Sequence, residues 1–238
     1  MLLGDACIPK IQRGVNAYLR IGHSIKQKAY MEYKRPMLEY LTGCRVYEPK
    51  VRVKGKEYGT ITLDTRVHPM YTKLREHMYI DGRKTIDEHV MKCLTPLGFA
   101  LWYQDDGCLT DHSGFLTPLL CTHGFSKAEV ELISRMLQKK FGLQWRLRKD
   151  KQYYALRLRR TDREAFFNLI SPYICPSMEY KIRDDVKKAT GYGTKVDKVC
   201  LECKNAFQVP YKERTRSYCG CLCYHKSREK RGRSQAVA

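Results

Sequence analysis

The stretch LGFALWYQDDGCLT, Leu97–Thr110, is an almost unbroken apolar run that ends on two adjacent carboxylates, Asp105 and Asp106, and then Gly107. A plain helix with a polar cap would give this pattern. So would a buried helix that delivers a carboxylate to a place where chemistry needs one. The second reading gains weight from the charge of the whole chain. It carries 45 Lys and Arg against 25 Asp and Glu, a formal net charge of +20 over 238 residues. An excess of that size calls for a polyanionic partner, nucleic acid first. A membrane surface is the weaker alternative, because no apolar run approaches the roughly 20 residues that cross a bilayer. The N-terminus lacks a signal-peptide layout. An intracellular setting is expected, either the cytoplasm of a bacterial or phage-infected host or an organelle interior.

The motif occurs twice. LLGDACI opens the chain and YQDDGCL follows about a hundred residues later, which makes Asp5 and Asp106 equivalent. Ser24-Ile25-Lys26-Gln27 and Ser126-Lys127-Ala128-Glu129 both read as helix-start boxes. Each leads into an amphipathic helix, with apolar faces Tyr30, Tyr33, Met37, Leu41 and Val130, Ile133, Leu137, Phe141. Gly43 and Gly142 fall where those helices should stop. A lysine sits late in each half, Lys84 in DGRKT and Lys181 in MEYKI. Three anchors in the same order predict a duplicated fold about a pseudo-two-fold axis.

Between the helices the period changes to two. GLQWRLRKDKQYYALRLRR reads as a hairpin turning near Lys149–Gln152. Gln144, Arg146 and Arg148 share one face, and Arg157 and Arg159 continue it on the return strand with Ala155. Trp145, Leu147, Tyr154, Leu156 and Leu158 form the other. A strand pair studded with arginine fits a DNA major groove, where arginine reads guanine with two hydrogen bonds. A solvated charged face is the competing reading. The first half offers Asn16, Tyr18 and Arg20, then Thr60, Thr62 and Asp64.

The chain has 11 cysteines, five of them at Cys200, Cys203, Cys219, Cys221 and Cys223. Clustering in a chain without a secretion signal favours a metal site over disulfides. Cys200-x2-Cys203, fifteen residues, then Cys219-x3-Cys223 can close a structural Zn2+ site of four thiolates. Cys221 and His225 remain alternative ligands. Lys212, Arg214, Arg216, Lys226, Arg228, Lys230, Arg231 and Arg233 surround this set and suit a phosphate backbone. Residues 184–198, with Gly191 and Gly193, read as a linker. The expected organisation is one repeat over residues 1–90, a second over 91–183, the linker, and a zinc-binding basic tail over 199–238.

LLGDACI and LTPLGFALWYQDDG resemble the two diagnostic helices of the LAGLIDADG homing endonucleases, in their two-repeat, monomeric branch. KQKAYMEY, RKTI, CTHGFSKAEVELI, KKFGL and NLISPYICPSMEYK resemble that branch in order and spacing. The likeness spans about residues 1–183. It implies an α+β fold of two αββαββα repeats forming a saddle over double-stranded DNA. It also implies acids at the scissile phosphates, Asp5 and Asp106, holding Mg2+ with help from the carbonyls of Gly4 and Asp105, and basic residues at Lys84 and Lys181 beside each cleavage centre. Two carboxylates and a hard cation suit phosphodiester hydrolysis. The sequence departs from the family where only Met1–Gly4 precede Asp5 and where Ala6 replaces a glycine. The same fold also serves RNA maturases, whose partner is intron RNA, and non-cleaving DNA-binding proteins.

Overall fold

A computed structural model describes residues 1–9, 14–112, 115–183, 195–210 and 213–227. Residues 184–194 of the expected linker lie outside these, as do Lys212, Arg228, Lys230, Arg231 and Arg233 of the tail. The chain divides into two compact units between Ile182 and Arg183.

The first unit contains both repeats. Its opening strand β1 (Ala6–Cys7) pairs with β2 (Arg20–Ser24), which pairs with β5 (Lys56–Thr65). Strands β3 (Cys44–Tyr47) and β4 (Lys50–Val53) both pair with β5. The second sheet runs β10 (Trp145–Asp150), β11 (Tyr153–Leu158), β9 (Phe115–Cys121), β8 (Gly107–His112). Every pairing is antiparallel. A small hairpin of β6 (Tyr79–Ile80) and β7 (Arg83–Lys84) presents Lys84. The helices are α1 (Lys28–Thr42), α2 (Pro69–Met78), α3 (Glu88–Lys92), α4 (Pro96–Asp106), α5 (Lys127–Phe141) and α6 (Arg163–Ile170). None of them, among the described residues, is long and apolar enough to cross a membrane.

The decisive run is α4. Thr95 caps it by accepting from the Gly98 amide at 3.1 Å, and Pro96 fills the first turn, where no N–H is needed. Phe99 to Gln104 are buried consecutively, so α4 is enclosed on all sides. Gln104 is tolerated there because its amide donates to Ala100 and Tyr173 carbonyls and accepts from the Cys175 amide. Phe166 packs 5.0–5.2 Å from the rings of Phe99, Tyr103 and Trp145. A second core joins α1, α2 and the first sheet through Met31, Leu38, Ile61, Leu63 and Tyr71.

The first motif differs. A helix was expected to end at Asp5, but Met1–Asp5 form a turn closed by the Gly4 and Ala6 amides on the Met1 carbonyl. This asymmetry also explains Ala6. Its counterpart Gly107 follows a full helix, and a Cβ there would lie 2.2 Å from the Tyr103 ring and 2.4 Å from the Tyr103 carbonyl. The ring is fixed by burial and by its hydroxyl donating to the Lys181 carbonyl. Gly107→Ala is therefore expected to cost about 1–3 kcal/mol, read as a lowered Tm; an unchanged Tm would contradict the close packing.

The helix starts also differ. Ser126 and Glu129 make a complete capping box. Ser24 caps a short 3-10 turn, Ile25–Gln27, by accepting from the Lys26 amide, and α1 begins only at Lys28. The helix stops at Gly43 and Gly142 have φ of 73° and 71°, where glycine is at ease. The buried face of α1 is Tyr30, Met31, Lys34 and Leu38, whereas Leu41 of the expected stripe is 56% exposed. The last part of the expected linker is ordered as β12 (Lys195–Val199), paired with β13 (Ala206–Pro210), where half-buried Val196 lies opposite buried Val209.

Candidate functional site

Asp5 ends the opening turn, and Asp106 is the last residue of α4. The two lysines occupy matching posts. Lys84 Nζ donates to the carbonyls of Gly4 at 3.1 Å and Ala6 at 2.8 Å. Lys181, at the end of a 3-10 segment Pro176–Lys181, donates to the carbonyls of Gln104 and, at 3.0 Å, Asp105. Each ammonium thus grips the backbone carbonyl immediately before an acidic residue. The carbonyls considered as metal ligands, Gly4 and Asp105, each already accept from a lysine. Burial pushes both lysines below their ordinary basicity, while the nearby acids pull them back up.

Asp105 does something different from its neighbour. Its side chain is fully buried and receives Lys34 Nζ at 2.5 Å, the Tyr30 hydroxyl at 2.9 Å and the Asp5 amide at 3.2 Å. Lys34 is equally buried and also contacts His23 Nε2 at 3.1 Å. His23 Nδ1 lies 3.3 Å from the Asp5 carboxylate. Burial, reinforced by the Lys34 charge, holds the His23 imidazole down at about 4. Neither His23 nor Lys34 stands out in the sequence, where Tyr30 reads only as part of an apolar helix face. The available signal was Lys34 itself, a charge four residues after Tyr30 on an otherwise apolar stripe.

Asp106 lines a cavity of about 250 Å³ with Gly4, Lys84, Thr122 and His123. Burial, then the charges of Asp5 and Asp105, push its carboxyl up to about 7. Burial and then the charge of Asp105 raise Asp5, whose side chain is 38% exposed. Crowded carboxylates of raised pKa at a cavity suit a hard divalent cation, which would relieve their repulsion. Asp5, His23 and Asp105 also converge closely enough to be considered as ligands. There, however, the Lys34 ammonium already neutralises Asp105, which leaves Asp5 and Asp106 as the carboxylates open to a metal.

The candidate DNA residues lie on or beside the two sheets, with accessibility that ranges from exposed to buried. Arg146, Arg148 and Arg159 are exposed and Arg157 half-buried, with Arg146 opposite Arg157 across the β10–β11 pair. Gln144 accepts from Arg159. Arg160, overlooked in the sequence, stacks on the Phe115 ring and joins these arginines around a cavity of about 410 Å³. On the first sheet, Thr60, Thr62 and Asp64 lie opposite Ser24, Gly22 and Arg20, with Asn16 and Tyr18 in the strand's approach. Arg20 is held by both oxygens of Asp64, at 2.7 and 2.8 Å, and Tyr47 donates to the same carboxylate. Thr62 is buried.

In the second unit, Cys200, Cys203, Cys219 and Cys223 bring their sulfurs together. Cys203 Sγ lies 3.7 Å from Cys219 Sγ, which lies 3.5 Å from Cys223 Sγ. A tetrahedral ion with metal–sulfur bonds of about 2.3 Å would space its sulfurs by roughly 3.8 Å. The Cys219 amide donates to Cys200 Sγ. Burial opposes the Cys200 thiolate, but backbone amides outweigh it and hold the thiol down at about 6. Cys221 and His225 are exposed and outside this group. All the cysteines are free of disulfides.

Known proteins share this architecture. Residues 1–166 match the model of the LAGLIDADG DNA endonuclease family. A probable intron-encoded endonuclease 1 of Wickerhamomyces canadensis is 32% identical over 187 residues, 76% of this chain and 80% of that protein. The solved structure of the homing endonuclease I-WcaI bound to its DNA recognition sequence superposes with a TM-score of 0.66 at 30% identity, covering 76% of this chain and 81% of that one. A cytochrome b mRNA maturase bI2 of Debaryomyces hansenii is 25% identical over 187 residues, 76% of this chain and 70% of that protein. With its paired antiparallel sheets, its buried motif helix and its two acid–lysine ends, this chain belongs to the LAGLIDADG DNA endonuclease family.

Proposed function

We propose that this chain is a site-specific homing endonuclease that hydrolyses a phosphodiester on each strand of a long, asymmetric DNA target, acting as a monomer with Mg2+. The observation that carries this reading is the repeated end geometry. Asp5 and Asp106 each follow a carbonyl that is gripped by a lysine, Lys84 or Lys181. Two such ends match two strands. Asp5 and Asp106 would hold the divalent ions, which supply Lewis-acid stabilisation of the phosphate and lower the pKa of water. Lys84 and Lys181 keep positive charge beside the scissile groups, fixed in place before the reaction begins. The arginines of β10 and β11, with Asn16, Tyr18, Thr60 and the Arg20–Asp64 pair, supply groove and backbone contacts.

The test is Mg2+-dependent cleavage of a plasmid carrying the uninterrupted host locus. Linear product is expected. Tight binding with neither strand cut would leave a DNA-binding protein without nuclease activity. The likeness to a maturase supports a second reading, binding to intron RNA, which a splicing assay with the cognate transcript would reveal.

The four-cysteine group supports a structural Zn2+ in a module that adds contacts to the DNA backbone. Native mass measurement should find one zinc per chain, lost in Cys203→Ser, since a three-thiolate remnant no longer closes the shell. Retention of the metal in that variant would rule out this ligand set.

A further inference from the structure

The two acidic ends are not held alike. From Asp5, a chain of polar contacts runs inward from its carboxylate to His23 Nδ1, from His23 Nε2 to Lys34, from Lys34 to Asp105, and from Asp105 back to the Asp5 amide. Lys34 comes from the first repeat and Asp105 from the second, so the loop ties both repeats to one carboxylate. The Tyr30 ring braces it, 4.1 Å from the Lys34 ammonium and 5.3 Å from the imidazole. Lys34 has only protons to offer, so His23 Nε2 accepts and Nδ1–H must point at Asp5.

The second repeat lacks the corresponding groups. Ala6 pairs with Ile21, two residues before His23, and the equivalent Gly107 pairs with Leu120, two residues before Thr122. Thr122 donates to the Tyr154 carbonyl, not to an acid. Both helices have 15 residues, so the position of α5 matching Lys34 is Ile133 from either end, buried and apolar. We propose that His23, oriented by Lys34 and Asp105, is a positioning residue that fixes the Asp5 carboxylate for one strand's cleavage, while Asp106, which meets the indole N–H of Trp102 instead, has no such histidine–lysine chain among the described residues. A half-exposed carboxylate on a short turn has rotamer freedom to lose, and a fixed donor 3.3 Å away removes it.

This inference rests on the nuclease reading and predicts an asymmetry that general loss of structure would not produce. The experiment follows both strands of a target duplex, each carrying its own label, with wild type, His23→Phe and His23→Asn. His23→Phe should slow one strand by roughly 10–100-fold relative to the other, as loss of a partner behind a metal ligand does, with DNA affinity in Ca2+ unchanged. His23→Asn keeps a donor near the Nδ1 position and should restore most of the lost rate on that strand. A second readout needs no metal: the 15N imidazole shifts of the metal-free protein should show the Nδ1–H tautomer. Equal slowing of both strands, no slowing, or an Nε2–H tautomer would overturn the assignment. A wild type that cuts neither strand would instead overturn the nuclease reading beneath it.

Discussion

Asp106→Asn is expected to bind its DNA target as wild type does, to cleave at least one strand roughly 10³-fold more slowly, and to be more stable than wild type without metal. The first two effects follow from replacing a charged oxygen ligand by a neutral amide of the same shape. The third follows from the electrostatics of the site. Burial and the neighbouring acids raise the Asp106 carboxyl to about 7 in the folded chain, against about 3.9 when unfolded. A group raised on folding contributes stability that is complete below about pH 4 and is lost as pH climbs through 7. Asparagine does not titrate, so the variant's advantage should grow between pH 4 and 7 and then level off. Its size should be roughly 1–3 kcal/mol, or a few degrees in Tm. Added Mg2+ should narrow the gap, because it stabilises only a state that binds it. Full cleavage of both strands by the variant would remove Asp106 from catalysis. A Tm difference independent of pH would mean that its carboxyl is not strained by its surroundings.

The apolar run before Asp106 was legible because burial on every side leaves a compositional trace, and α4 occupies those residues. The arginine face of β10 and β11 was legible for a related reason: strand period fixes which side chains share a face. The acid–lysine ends appeared as repeated anchors, though only the coordinates reveal that the lysines reach backbone carbonyls. What stayed hidden involves long separations. The Asp5–His23–Lys34–Asp105 loop joins residues up to 100 positions apart, and nothing local announces that His23 points inward. Periodicity assigned α1 a stripe ending at Leu41, because a lysine was not credited with a core position. Burying it requires a matched carboxylate, and that partner sits in the other repeat. The turn at Met1–Asp5 and the strand at Lys195–Val199 were missed because short segments take their structure from the strands and helices they dock on.

Lys34→Met should destabilise the fold by about 3–5 kcal/mol, because it leaves the Asp105 carboxylate buried without a counter-charge. Both side chains have zero exposure, so water cannot screen the loss. Methionine fills the volume of the lysine stem, which keeps a cavity from being the cause. Asp105→Asn alone should cost less. Burial already lowers the basicity of Lys34, so that lysine can shed its proton and remain inside neutral. The informative molecule is the double variant. Asparagine retains an acceptor for the Tyr30 hydroxyl, at the loss of the second oxygen that takes the Asp5 amide, and methionine needs no partner, so no charge is left in the interior. Lys34→Met/Asp105→Asn should therefore recover most of the stability lost by Lys34→Met. The two changes are in direct contact, and their coupling should reach about 1–3 kcal/mol. Urea unfolding of the four proteins closes the cycle. If the single costs simply add, the pair is not acting as a unit. If they couple as expected, the double variant also separates two roles of the loop: a stable fold is regained, while His23 has lost the Lys34 donor that sets its tautomer, so cleavage at the Asp5 end should stay impaired.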